Sequence, residues 1–297
     1  MTTTVEPPAV ESAPTPRKAR PAKAGRARGI LVTLSCVWLV LLVAAFTLQP
    51  WLPLPDPARS DYGAIAVPPG ASPDHLLGTD EIGRDILARL ITGARVSLTV
   101  GIGSVAVAVV IGSLLGVCAG FFGGRTNRVI SGVIDVMLAF PALVALIALT
   151  VFMGPGMLTI IVGIGIVASP AVARVARSAT LTFANREFVT AARSMGAGSL
   201  RILRREILPN VVVPILAYGT VLVAVAVVAE GSLSFLGLGV PPPQSSWGTM
   251  MGTGRSELAT HPHIVLLPAG AMFVTLLALN FLAEHVGKRF DIRESVL

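Results

Sequence analysis

Five stretches of the chain are almost free of charge: residues 29–55, 96–124, 129–173 (only Asp135), 207–254 (only Glu230) and 258–283. A bilayer core of about 30 Å takes about 20 helical residues to cross, so each stretch can hold a span. Residues 129–173 are long enough for two, divided at "MGPGM" of 153–157. In 207–254 the helix is predicted to end near residue 236, where "FLGLGVPPPQSSWG" begins, since three prolines cannot continue a helix. The pattern therefore predicts six membrane-spanning helices. The apolar runs are continuous, whereas a barrel needs short strands of alternating polarity. The predicted class is an all-α integral membrane protein.

Composition agrees: 53% of the 297 residues are hydrophobic and 13% charged, against about a quarter charged in soluble domains. With six crossings and the N-terminus inside, 18 of the 23 Lys and Arg fall on the cytoplasmic side. The other side keeps Arg59, Arg84, Arg89, Arg95 and Arg255. The excess of basic residues in cytoplasmic loops puts both termini in the cytoplasm. It also accounts for the net charge of +7 and removes nucleic acid as a partner. Residues 1–28 are read as a disordered basic cytoplasmic tail, 29–52 as an uncleaved first transmembrane helix and 53–92 as an extracytoplasmic segment. Residues 93–286 form the core membrane domain and 287–297 a cytoplasmic tail. Cys36 and Cys118 lie in apolar spans and suggest no disulfide.

Within the external segment, "HLLGTDEIGRDILARLITGAR" from His75 has the pattern of an amphipathic helix, which either lies on the membrane surface or simply leads into the second span. Thr79 or Asp80 can cap it, and Asp80/Arg84 and Asp85/Arg89 have ion-pair spacing. "TAARSMGAGSLRILRREILPN" of 190–210 interrupts the apolar pattern on the cytoplasmic side. Phe188, Ala192 and Met195 fall on one side of a short helix that Gly196 can end in a left-handed cap. Ser199 can start a second helix, and Pro209 enters the fifth span near its first turn. Such a basic element can lie on anionic headgroups; its bend and small apolar residues suit a protein groove better. Asp135 and Glu230 are intramembrane carboxylates and so candidates for lining a passage, with a structural ion pair or a backbone cap as the other roles open to them. His261-Pro-His263 lacks a third metal ligand, and no metal site is predicted.

Residues 187–210, with "AAR" at 191–193, Gly196 and "ILPN" at 207–210, resemble the cytoplasmic coupling loop of permease subunits of ATP-binding-cassette importers. "GVCAGFFGGRTNRVISGVIDVMLAFPALV" and "EGSLSFLGLGVPPPQSSWGTMM" extend the resemblance over residues 75–285. They resemble the second permease of heterodimers in the dipeptide, oligopeptide and nickel branch. The resemblance implies a type I importer permease fold with a coupling helix, and peptide import. It implies four kinds of partner: a second homologous permease, two ATPase subunits, an extracytoplasmic substrate-binding protein and membrane lipid. ATP and magnesium would belong to the ATPases, and this chain would hold no cofactor and have no catalytic residue. It contains no G-x-x-x-x-G-K-[ST] phosphate loop. The implied coupling residues are Phe188, Ala191, Ala192, Arg193, Gly196, Leu200, Leu203 and Pro209. Thr190 stands where many members carry a glutamate. Nickel chelates are an alternative cargo, and a self-sufficient secondary transporter an alternative machine, although no internal inverted repeat is evident.

Overall fold

The computed structural model describes residues 24–294, with side chains for 29–287. Most of the predicted N-terminal tail lies outside the described residues. Among the described residues there are ten α-helices and no β-strand. Helix α1 (Ala24–Leu48) is followed by the irregular residues 52–85 and then α2 (Ile86–Phe122) and α3 (Gly124–Ala139). Next come α4 (Ala142–Met153), α5 (Met157–Ala184), α6 (Glu187–Ser194) and α7 (Ser199–Ile202). The chain continues through α8 (Leu208–Phe235) and α9 (Trp247–Gly254) to α10 (His263–Glu294). Helix α1 starts five residues ahead of the expected boundary at 29, and α10 continues into the expected tail.

Five helical stretches are long and apolar enough to cross a membrane: α1, α2, α5, the stretch containing α8, and α10. Helices α3 and α4 make a sixth span if taken together, but they meet at 89°. The cause is local: Pro141 forces Phe140 out of helical geometry, to φ −80° and ψ 136°. One of the two crossings expected from residues 129–173 is therefore a broken helix, and the other is α5.

The centre of the bundle is the α2–α5 pair. A Cβ at Gly112, Gly116 or Gly120 of α2 would approach atoms of Ser169, Ala173 or Thr180 of α5 closer than 3.0 Å. Small residues one turn apart let two backbones meet where lipid offers no hydrophobic drive to join them. Helices α8, α9 and α10 pack around this pair. Helix α1 is peripheral: it leans on α10, with Trp38 Nε1 donating to Thr275 Oγ1 at 3.0 Å, and most of its apolar side chains remain exposed.

The expected interfacial helix is not formed. Residues 75–85 are turns, and the helix starts only at Ile86, capped by Asp85, whose Oδ1 accepts from the Ala88 amide at 2.7 Å. Thr79 and Asp80 serve the turns instead. The Thr79 hydroxyl donates to the Ala64 carbonyl and accepts from the Val67 amide, while Asp80 Oδ1 accepts from the Ile82 and Arg84 amides. The Asp80/Arg84 pair forms at 2.6 Å, but in a loop. Asp85 pairs with His75 at 3.0 Å and not with Arg89. Gly83, at φ +81°, lies so close to the Asp61 carbonyl that a side chain has no room.

Candidate functional site

The two ends of the bundle differ in chemistry. One gathers the α5–α8 connection and the α2–α3 turn, where Arg177 Nε donates to Asn127 Oδ1 at 2.6 Å. The other gathers residues 52–85, the α4–α5 turn and the α8–α10 connection.

The α5–α8 connection is a rigid hairpin, and its sequence explains each turn. Helix α6 has Glu187 in its first turn and Arg193 in its last, each matching the helix dipole. It ends at Gly196, φ +81°, with the Gly196 amide on the Arg193 carbonyl and the Ala197 amide on the Ala192 carbonyl. These are the two bonds of a Schellman cap, which needs the left-handed residue at that position. Helix α7 begins at Ser199, a single π-turn spans Leu203–Ile207, and Pro209 follows at the start of α8.

The hairpin has two faces. Val189, Ala192, Ile202 and Ile207 are buried and join the core with Phe183 and Ala184 of α5 and Val211 of α8. Phe188, Ala191, Arg193, Met195, Gly196, Leu200 and Pro209 are exposed, Met195 by 81% and Leu200 by 61%. Ala192 was expected beside Phe188 on the outward face; it turns inward with Val189, three residues before it. Leu203 is half-buried against the same core. Ala192 is therefore turned away from the outer surface, while Leu203 remains partly exposed. Val189, which anchors the hairpin, was not foreseen, because alanines on both sides of a two-turn helix leave its inner face undefined.

The two intramembrane carboxylates have separate fates. Asp135 on α3 accepts from Arg174 of α5 at 2.7 Å, both side chains being largely exposed, which is the structural ion pair among the roles left open for it. Glu230 on α8 is fully buried, its two oxygens accepting from Ser97 of α2 at 2.9 Å and Ser234 at 2.6 Å. The expectation that Glu230 lines a passage is not met within this chain. Its network extends to α9, where Ser246 Oγ donates to Ser234 Oγ at 3.3 Å and the Trp247 amide to Ser97 Oγ at 3.4 Å; separately, Trp247 Nε1 donates to the Leu90 carbonyl at 3.0 Å. Ser246 also closes a capping box with Thr249. These contacts fasten α9 across the ends of α2 and α8. Ser97 and Glu230 lie 133 residues apart, and no local pattern joins them.

His261 Nδ1 lies 3.0 Å from Glu257 Oε2; hydrogen bonds from His261 and Thr260 hold that carboxyl below its usual range. Among the described residues no three His, Cys, Asp or Glu side chains come together in a way that could hold a metal ion.

The chain is thus a multi-span helical bundle with a capped basic hairpin between two spans. Residues 108–292 match the family described as binding-protein-dependent transport system inner membrane component, and the chain belongs to that family. It is 37% identical over 259 residues to the di/tripeptide transport system permease protein DppC of Pseudomonas aeruginosa, covering 86% of each chain. It is 38% identical over 253 residues to the glutathione transport system permease protein GsiD of Pectobacterium atrosepticum, covering 85% of this chain and 83% of that one. Among solved structures, an inward-facing MetNI methionine ABC transporter matches at 18% identity with a TM-score of 0.57, covering 68% of this chain and 95% of that chain. An amino acid ABC transporter solved with histidines matches at 20% identity and a TM-score of 0.54, covering 68% of this chain and 94% of that one. At that identity the structural matches speak to the fold, which is that of importer permeases.

Proposed function

We propose that this chain is one of two permease subunits in an ATP-driven importer of di- or oligopeptides. An external binding protein delivers the cargo, and separate ATPase subunits bind ATP and magnesium. In this reading the hairpin end faces the cytoplasm, with both termini, and residues 52–85 and 236–262 face outward. The basic residues around the hairpin support that orientation. Relatives named for di/tripeptides and for glutathione, itself a tripeptide, support peptides as the cargo.

The observation that carries the reading is the two-faced hairpin. Its inner face is locked to α5 and α8 by Val189, Ala192, Ile202 and Ile207, so force on it passes to two spans. Its outer face offers Phe188, Ala191, Met195 and Leu200 to a groove in another protein, and Arg193 sets charge around them. Gly196 fixes the angle between the two arms. A peg of this kind turns closure of an ATPase pair into rigid-body motion of the spans.

The test is site-specific photocrosslinking in native membranes. Probes at Phe188 and Met195 are expected to capture an ATPase polypeptide, while a probe at exposed Tyr62 captures none. Capture of lipid alone from both hairpin positions, or peptide uptake that survives ATP depletion with the proton gradient held, would overturn the reading.

A further inference from the structure

At the end of the bundle away from the hairpin, a cavity of about 380 Å³ opens between the end of α8, the loop that follows it, α9 and the α4–α5 turn at Pro155. Its size falls in the range of about 300–1,000 Å³ usual for small-ligand sites. Val240 and three consecutive prolines give it an apolar wall, and its charged lining is Arg84, Arg89 and Arg255.

The three arginines are not equivalent. Arg84 is satisfied, with Nε 2.6 Å from Asp80 Oδ2 and Nη2 3.1 Å from Glu81 Oε1. Arg89 is only 4% exposed, yet its one ion-pair contact is Nε at 3.5 Å from the Asp80 oxygen that Arg84 already holds. That distance is too long for a good hydrogen bond, and among the described residues its guanidinium makes none. A guanidinium carries five N–H donors in a planar fork, and one this buried is normally paired. Arg255 stands exposed on the rim, with no ion pair among the described residues. Asp80 and Glu81 both pair with Arg84, and neither carboxylate makes a hydrogen bond to the Arg89 fork.

We infer that this cavity is a carboxylate subsite, in which Arg89 and Arg255 receive the C-terminal carboxylate of a short peptide arriving at the external face. The inference rests on the importer reading for the identity of the cargo. An unpaired fork inside a concave, apolar-walled site suits a slender chain end, which fits a planar carboxylate to it in bidentate fashion.

The intact transport complex in nanodiscs, without its external binding protein, is tested by equilibrium dialysis against radiolabelled trialanine and its C-terminal amide. The free acid is expected to bind at least about tenfold more tightly than the amide, the scale of a lost charged hydrogen-bond pair. Arg89→Lys, which keeps the charge but loses the fork, and Arg255→Gln are each expected to move that preference toward unity. Equal binding of acid and amide by the unaltered complex overturns the inference, as does an unchanged preference in both variants. If Arg89→Lys fails to assemble, the surface variant Arg255→Gln decides alone. Variants that weaken capture of the binding protein while leaving trialanine binding intact show that the arginines serve docking, which also overturns it. Uptake that proceeds without ATP, with the acid preference intact, removes the importer reading and leaves the carboxylate site standing.

Discussion

Gly196 shows how much one residue's backbone decides. A Cβ there meets no atom within 4 Å, so space does not exclude other side chains; the left-handed φ of +81° does. Leaving the right-handed region costs an L-residue about 1–2 kcal/mol, and a β-branched one more. Asparagine tolerates the conformation best after glycine. We therefore expect Gly196→Val to insert normally but to lose most uptake while the ATPases still turn over, and Gly196→Asn to recover most of it. Paired uptake and ATP-hydrolysis assays in proteoliposomes check this, and equal defects in the two variants would refute the role of the cap. Val189 makes the complementary point. It is fully buried, so Val189→Ala is expected to loosen the hairpin at a cost of about 1 kcal/mol, read as faster proteolysis between residues 186 and 205.

At the scale of elements, spans were legible because a long uncharged run admits few other structures. The hairpin's turns were legible too, since Gly196, Ser199 and Pro209 each act on their immediate neighbours. What failed needed contacts distant in sequence. Residues 75–85 carry helical spacing, yet Asp80 binds two amides of its own turn and Asp85 turns to His75, so the backbone bonds a helix needs are satisfied elsewhere. The break at Pro141 was readable from "AFPAL", but a long apolar run around it masked the signal. The fate of Glu230 depends on Ser97, which no periodicity places beside it. Two predictions follow from these packings. Gly116→Leu pushes α2 off α5 and is expected to lower stability by about 3 kcal/mol or more, with Gly116→Ala milder. Glu230→Ala strands the hydroxyls of Ser97 and Ser234, with an expected loss of about 2 kcal/mol, and Glu230→Gln loses less. Thermal unfolding in detergent measures both series.

On the proposed reading the whole molecule joins a motor-facing end to a cargo-facing end, and that orientation has its own test. A cysteine replacing Met195 is expected to react with a membrane-impermeant maleimide only after the cells are opened, and one replacing Tyr62 in intact spheroplasts. Reversed labelling would invert the topology and with it the assignment of both ends. One feature spans the distance between them. Helix α2 runs unbroken for 37 residues, roughly 55 Å at 1.5 Å per residue and nearly twice the thickness of a bilayer core. Arg89 lies near one tip and Gly120, wedged against Thr180, near the other. A rod this stiff behaves as a seesaw: rocking it about 5° around its middle moves each tip by about 2.5 Å in opposite directions. While that rod stays whole, a displacement at one mouth of the bundle is tied to an opposite displacement at the other.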